Sequence, residues 1–305
     1  MALKELGLKN NYHPYAITTI ICWSFGYVFT RYALRYVSAL PLGFLRYFFA
    51  SIALGIVALA YKIKPPEGRD LALVALAGIC GFFLYMITFN QGNATISASQ
   101  SSVIIATAPA ITAVIARFAF GEHLDKRQVS AIILQFAGVM VVMDTFSGFV
   151  PSKGSLMLLG AACMISTYNA LQRDLTKRHN SLDMTIYSIF FGEAALCVFA
   201  PMALRELPGI GLRALGAIVF LGVFSSSLAY ASWAKALSIA QKAASVTNYM
   251  FLTPVVTSVL GFLLLGEAPP RLTLIGGSIV IVGMLLFNYK PEEHPSHGAG
   301  NANGT

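Results

Sequence analysis

The sequence predicts an all-α membrane protein: ten transmembrane helices in two inverted five-helix repeats, with both termini cytoplasmic. Three observations lead there. First, 56% of the 305 residues are apolar and only 11% are charged, against about 25% charged in a soluble domain. Second, the apolar residues gather in ten runs, roughly 14–33, 40–61, 70–90, 96–118, 127–144, 154–172, 183–203, 213–235, 243–265 and 271–289. Each is close to the ~20 residues that cross a bilayer as a helix. Third, the second half repeats the first at a fixed offset of 145 residues, which carries Pro109, Thr112, Val114, Gly121, Glu122 and Gly138 onto Pro254, Thr257, Val259, Gly266, Glu267 and Gly283. Proline, glycine and glutamate are not residues that an apolar composition aligns by chance.

Taken in order, residues 1–13 form a cytoplasmic N-terminus. Lys4 and Lys9 precede the first run, which lacks a small-residue cleavage site and reads as a retained helix. The first repeat spans 14–144 and the second 154–289. Connections are short and marked by breakers: Pro41, Pro65-Pro66-Glu67-Gly68, Gly121, Pro151, Pro208-Gly209 and Pro269-Pro270. The segment 290–305, rich in Pro, Gly, Asn and His, is expected to be a disordered cytoplasmic tail.

Basic residues set the orientation. With the N-terminus inside, the inner loops hold Lys4, Lys9, Lys62, Lys64, Arg69, Arg117, Lys126, Arg127, Arg173, Lys177, Arg178, Lys235, Lys242 and Lys290. The outer side holds only Arg31, Arg35, Lys153, Arg205, Arg213 and Arg271. This spread over short loops also disposes of a nucleic-acid partner, which the net charge of +8 would otherwise invite, because no basic face is formed. A repeat of five helices is odd, so the second copy inserts upside down. Transporters use that arrangement to alternate access around a site near the midplane.

Several local patterns point the same way. Ile21-Cys22-Trp23-Ser24 lies in the first run and Leu45-Arg46-Tyr47-Phe48-Phe49-Ala50 in the second. Gly154 opens the sixth, which ends in Leu171-Gln172-Arg173. Pro109…Gly121-Glu122 and Pro254…Gly266-Glu267 end the fourth and ninth. Together these resemble the EamA family of the drug/metabolite transporter superfamily, over about residues 16–289. The resemblance implies an inverted-repeat ten-helix bundle carrying small metabolites, often exporting amino acids or related compounds. The family's usual first-helix pattern, Trp-Gly-Ser-(Asn or Thr)-Phe, is here Trp23-Ser24-Phe25-Gly26-Tyr27, so the cavity-facing chemistry of that helix differs.

The offset pairs Trp23 with Tyr168 and Tyr85 with Tyr230, aromatic positions that would either line a shared cavity or pack helix against helix. Ionisable groups in the bilayer cost about 2.5–3.5 kcal/mol at the centre on insertion scales, and two stand out. Glu193 lies about ten residues into the seventh run, and Arg46 about six into the second. The offset maps Glu193 onto Phe48, two residues from Arg46. The functional reading gives Glu193 a substrate amine or a proton and Arg46 a carboxylate. The alternatives are a hydrogen-bonded structural carboxyl and an arginine that snorkels to the outer interface. Pro109 and Pro254 free the carbonyls one turn earlier and are candidate hinges or fixed kinks. Asn248 and Tyr249, just before Pro254, are candidate cavity residues. Glu122 and Glu267 are expected to favour the positive N-terminus of the following helix after a glycine stop. The serines at 97, 99, 101, 102 and 225–227 permit close helix contact and, being polar, ligand contacts.

Other classes fare worse. All five histidines fall in loops or tails and no His-Glu-x-x-His helix exists, so an embedded enzyme, a metal site and a cofactor are not expected. The four cysteines sit in apolar runs without metal or disulfide spacing. An antiporter of phosphorylated or nucleotide-linked solutes would want several buried Lys or Arg residues, and only Arg46 lies clearly inside a run. The expectation is a secondary transporter in the cell (inner) membrane. It would move an amino acid or related zwitterion, in the export direction, by alternating access, with protons as a candidate coupling ion. A monomer and a homodimer both fit.

Overall fold

The computed structural model describes residues 11–144, 151–240, 246 and 248–289. The expected cytoplasmic segments before residue 11 and after 289, and the side chain of Asn248, lie outside what is described. Among the described residues the chain is helical, with no strand. Helix α1 runs His13–Ala33, α2 Ala39–Tyr61, α3 Gly68–Asn93 and α4 Ala98–Phe120. Helix α5 runs Lys126–Val142, α6 Lys153–Leu175, α7 Ser181–Gly209 and α8 Leu212–Ile239. A 3₁₀ turn, Asn248–Phe251, leads into α9, Leu252–Leu265, and α10 is Arg271–Asn288.

Seven of these, α2, α3, α4, α6, α7, α8 and α10, are long and apolar enough to cross a membrane. The chain is therefore a multi-pass membrane protein. Helix α1 has the length but carries His13, Thr18, Thr19, Ser24, Thr30 and Arg31, while α5 and α9 are shorter, with 17 and 14 residues.

Four helices are interrupted, and local chemistry explains some of the breaks. Helix α4 breaks between Ala98–Ile105 and Ala108–Phe120, with Pro109 in the first turn of the second piece. Pro254 sits equivalently, just after the 3₁₀ turn that opens α9. Neither proline kinks a continuous helix; each starts a helical segment, where its missing N–H is no loss. In α7 a 3₁₀ turn at Cys197–Phe199 precedes Pro201, which cannot donate back to Cys197. The remaining interruptions are a matched pair. Helix α3 winds as a π-helix over Ile79–Leu84 and α8 over Leu221–Leu228. The offset carries the first segment onto 224–229, so the two overlap. No periodicity in the sequence announces them.

Packing obeys the same offset. Helices α5 and α10 pair along their length. A Cβ on Gly138 would lie 2.8 Å from the Gly276 carbonyl oxygen, and one on Gly283 3.0 Å from that of Ala131. The offset turns 138 into 283 and 131 into 276, so each contact is the two-fold image of the other. Lipid tails are as apolar as leucine, so such close approach of small residues, rather than burial from water, holds membrane helices together. Likewise α6 packs on α3 and on the second piece of α4, as α1 packs on α8 and α9.

The two halves are inverted. Arg31, ending α1, meets Glu267 after α9, and Glu267 also accepts from the Ala98 N–H at the start of α4. Arg173, near the end of α6, meets Glu122 after the far end of α4. Helices α1 and α6 therefore finish at opposite ends of the bundle.

Candidate functional site

The centre of the bundle is an aromatic cluster with Phe82 at its hub. Its ring centroid lies 4.9 Å from Tyr168, 5.5 Å from Tyr230 and 5.3 Å from Tyr47. Trp23 joins from α1, 5.5 Å from Tyr230. Tyr168 and Tyr230 are 6.4 Å apart and edge-on. Such geometries are favourable for rings, by about 0.5–1.5 kcal/mol beyond area burial. Tyr85 stacks on Phe89 at 5.2 Å, and Phe89 meets Tyr27. Five helices, α1, α2, α3, α6 and α8, thus supply one contiguous group.

The π-helical turn of α3 positions this cluster. Phe82 lies within it and Tyr85 succeeds it directly. Gly81, in the same turn, faces the ring of Tyr168, where a Cβ would come within 2.6 Å. An extra residue in one turn rotates the rest of the helix about its axis, and π-turns recur at functional sites. In α8 the π-turn presents Ser225, Ser226 and Ser227 inward, all buried. Ser225 donates to the Cys22 carbonyl on α1, and Ser227 to that of Ala50 on α2.

Both intramembrane charges sit beside the cluster, on α2 and α7, which pack against each other. Arg46 is only 6% exposed and donates through Nε to Ser226 Oγ at 2.7 Å; it is buried rather than reaching out of the bundle. Its guanidinium lies 5.8 Å from the Tyr47 ring centroid. Glu193 is 8% exposed, and both its carboxyl oxygens are buried with no hydrogen-bond partner among the described residues. The Tyr47 hydroxyl is in the same condition. Arg46 and Glu193 are not ion-paired with each other among the described residues. A buried polar group without a partner costs roughly 1–3 kcal/mol, and more if charged, so this region has unused capacity for a polar guest.

Trp23, Arg46, Tyr85, Tyr168, Glu193 and Tyr230 are thus gathered in the core of the bundle. Tyr249 is not among them. It bonds to His13 Nδ1 and packs with Tyr12, Tyr15 and Trp233, at the end where α1 and α9 begin. Trp23 links the two groups, 5.3 Å from Trp233. Pro109 and Pro254 lie at matching places. The carbonyl before each, of Ala108 and of Thr253, accepts a serine hydroxyl from the other half, Ser166 at 2.9 Å and Ser24 at 3.4 Å.

Phe82, Tyr47 and Ser226 belong to the site without being marked in the sequence as members of one group. Tyr47 adjoins Arg46 and Ser226 lies in a serine run, so a signal exists for both. Phe82 has none, being one of 21 phenylalanines.

Glu122 and Glu267 also differ from expectation. Gly121 and Gly266 close their helices in the left-handed region, at φ 68° and 69°. The glutamate N–H groups just after them reach back to the carbonyls of Ala116 and Gly261, as in a Schellman ending. The carboxylates do not cap the next helix. Asp125 caps α5 in a capping box with Gln128, Glu122 pairs with Arg173 and Glu267 with Arg31. Glu267 does sit at a helix N-terminus, but that of α4.

A multi-pass helical bundle of two related halves, with buried polar groups at its centre, is the architecture of a membrane transporter. The chain belongs to the EamA-like transporter family, whose model matches residues 11–144 and 152–289, once over each half. It is 28% identical over 274 residues to a protein of Streptantibioticus cattleyicolor named "Probable terminal-alkyne amino-acid exporter", with 89% of this chain and 91% of that protein covered. It is 28% identical over 268 residues to the uncharacterized transporter YdfC of Bacillus subtilis, covering 88% and 87%. A solved structure superposes with a TM-score of 0.62 at 17% identity, over 90% of this chain and 95% of that one, and speaks to fold alone. The protein is a transporter and not an enzyme.

Proposed function

We propose that the protein is a secondary transporter of the cell (inner) membrane that moves an amino acid or related zwitterion, in the export direction, by alternating access. In this reading all ten helices span the bilayer in two inverted five-helix repeats, with both termini cytoplasmic. The observation that carries it is the pair of ionisable side chains, Arg46 on α2 and Glu193 on α7, buried beside one aromatic cluster and not bonded to each other among the described residues. Arg46 offers guanidinium N–H groups to a carboxylate. Glu193 offers an unused carboxyl to an ammonium or a proton. The rings of Trp23, Tyr85, Tyr168 and Tyr230 offer apolar faces to the side chain between them. Pro109 and Pro254 serve as hinges at the broken turns of α4 and α9. The S. cattleyicolor relative named "Probable terminal-alkyne amino-acid exporter" is in keeping with this substrate class.

The test is uptake into proteoliposomes of a panel of amino acids and amphipathic cations, with and without a pH gradient. Saturable uptake of at least one amino acid is the expected result, and a gradient that drives it would assign protons as the coupling ion. Failure of every amino acid would sink the substrate assignment.

A further inference from the structure

We infer that Glu267–Arg31 and Glu122–Arg173 are a matched pair of latches, one closing each face of the bundle, so that breaking either biases the protein toward opening at that face alone. The inference rests on the reading of the protein as an alternating-access transporter.

The two glutamates are the same residue of the two repeats, 145 positions apart, each just after a left-handed glycine and with the same backbone bond to the residue six before it. Each carboxylate leaves its own repeat. Glu267 takes Arg31 Nε at 3.0 Å, and Glu122 takes Arg173 Nη1 at 2.7 Å. Arg31 and Arg173 both lie in the last turn of the first helix of their repeat. The offset carries Arg31 onto 176, one turn beyond Arg173, so the two pairings match in space without being identical in register. The sequence repeat alone cannot show this.

Each latch ties helices from different halves at one end of the bundle. Arg31 also donates to the carbonyls of Asn93 and Ala94, and Glu267 Oε2 accepts from Ala98 N–H. That end therefore joins α1, α9 and the α3–α4 connection. At the other end Glu122 joins the close of α4 to α6. With both pairs made, the two halves are tied to each other at each end of the bundle. In an inverted repeat, opening one face converts one half into the conformation of the other. Identical carboxylates with opposite locations supply that two-way choice. The pairs are partly exposed, so each is weak enough to break in a transport cycle.

The latches can be tested without substrate by spin-label distances in the full chain, with the native cysteines replaced by alanine. Labels at Tyr36→Cys and Leu272→Cys report the Glu267 end, and labels at His123→Cys and Lys177→Cys the Glu122 end. Glu267→Gln should raise the open-to-closed ratio at its own end by about two- to fivefold, the scale of a partly exposed ion pair, without widening the other end. Glu122→Gln should do the reverse. The exchange variant Arg173→Glu with Glu122→Arg, whose side chains pair with each other, should restore the parent distribution at the Glu122 end and shows that the change is not misfolding. Widening of both ends together in either variant, or no change at its own end in either, would overturn the proposal. Normal distance responses in a protein that takes up no solute would count against the transport reading and leave the latches standing.

Discussion

Arg46 on α2 is held by Ser226 on α8, a hydroxyl that the π-turn of the second half turns toward the first. The bond crosses the two repeats beside the aromatic hub, and it keeps the guanidinium of a buried arginine oriented into the bundle.

Ser226→Ala should therefore cost more than a surface hydroxyl. A hydrogen bond to a charged group is worth about 1.5–3 kcal/mol. A lower unfolding temperature in detergent and a raised KM for a carboxylate-bearing solute are expected. A variant with unchanged KM and stability would mean that Arg46 has another anchor.

Glu193→Gln separates structure from function. Neither carboxyl oxygen has a hydrogen-bond partner among the described residues, so glutamine, a neutral group of the same shape, breaks no bond there and should leave the unfolding temperature little changed. Uptake of amine-bearing solutes should fall about tenfold or more, equivalent to at least ~1.4 kcal/mol of binding. Unchanged rate and unchanged pH dependence would remove Glu193 from the transport site.

Gly276→Val probes the α5–α10 contact, where a Cβ would lie 2.5 Å from the Gly138 carbonyl oxygen. Overpacking at such a site costs about 1–3 kcal/mol, visible as a lowered unfolding temperature. Gly55→Ala on α2, where nothing lies within 4 Å, is the control and should leave the unfolding temperature unchanged or slightly raised.

Gly121→Ala and Gly266→Ala place a side chain at φ 68° and 69°. Each should destabilise by about 1–2 kcal/mol. The two sites are at opposite ends, so their effects should add in thermal unfolding. Asparagine, which tolerates this region better, should cost less at both. Equal tolerance of Ala and Asn would show that the helix endings relax.

Class and repeat are legible in the residue pattern alone. Charge scarcity and ten apolar runs arise from the solvent, because a bilayer core demands internally satisfied backbone, as in a helix, and makes each charge expensive. The 145-residue offset survives in Pro, Gly and Glu because backbone geometry at a helix break or stop depends on those residue types. Arg46 and Glu193 can be picked out because a charge inside an apolar run is conspicuous. Which neighbours they meet was decided only by tertiary structure. The π-turns in α3 and α8 rotate Phe82, Tyr85 and Ser226 to faces that a regular helical period does not predict. Closeness to Pro254 in sequence suggests a cavity position for Tyr249, yet α9 begins at the end of the bundle and carries it to His13 instead. Glu122 and Glu267 are legible as helix endings, but their arginines lie 51 and 236 residues away. Local residue pattern fixes how a helix starts, bends and stops; long-range partners depend on how two inverted halves dock, which no local pattern encodes.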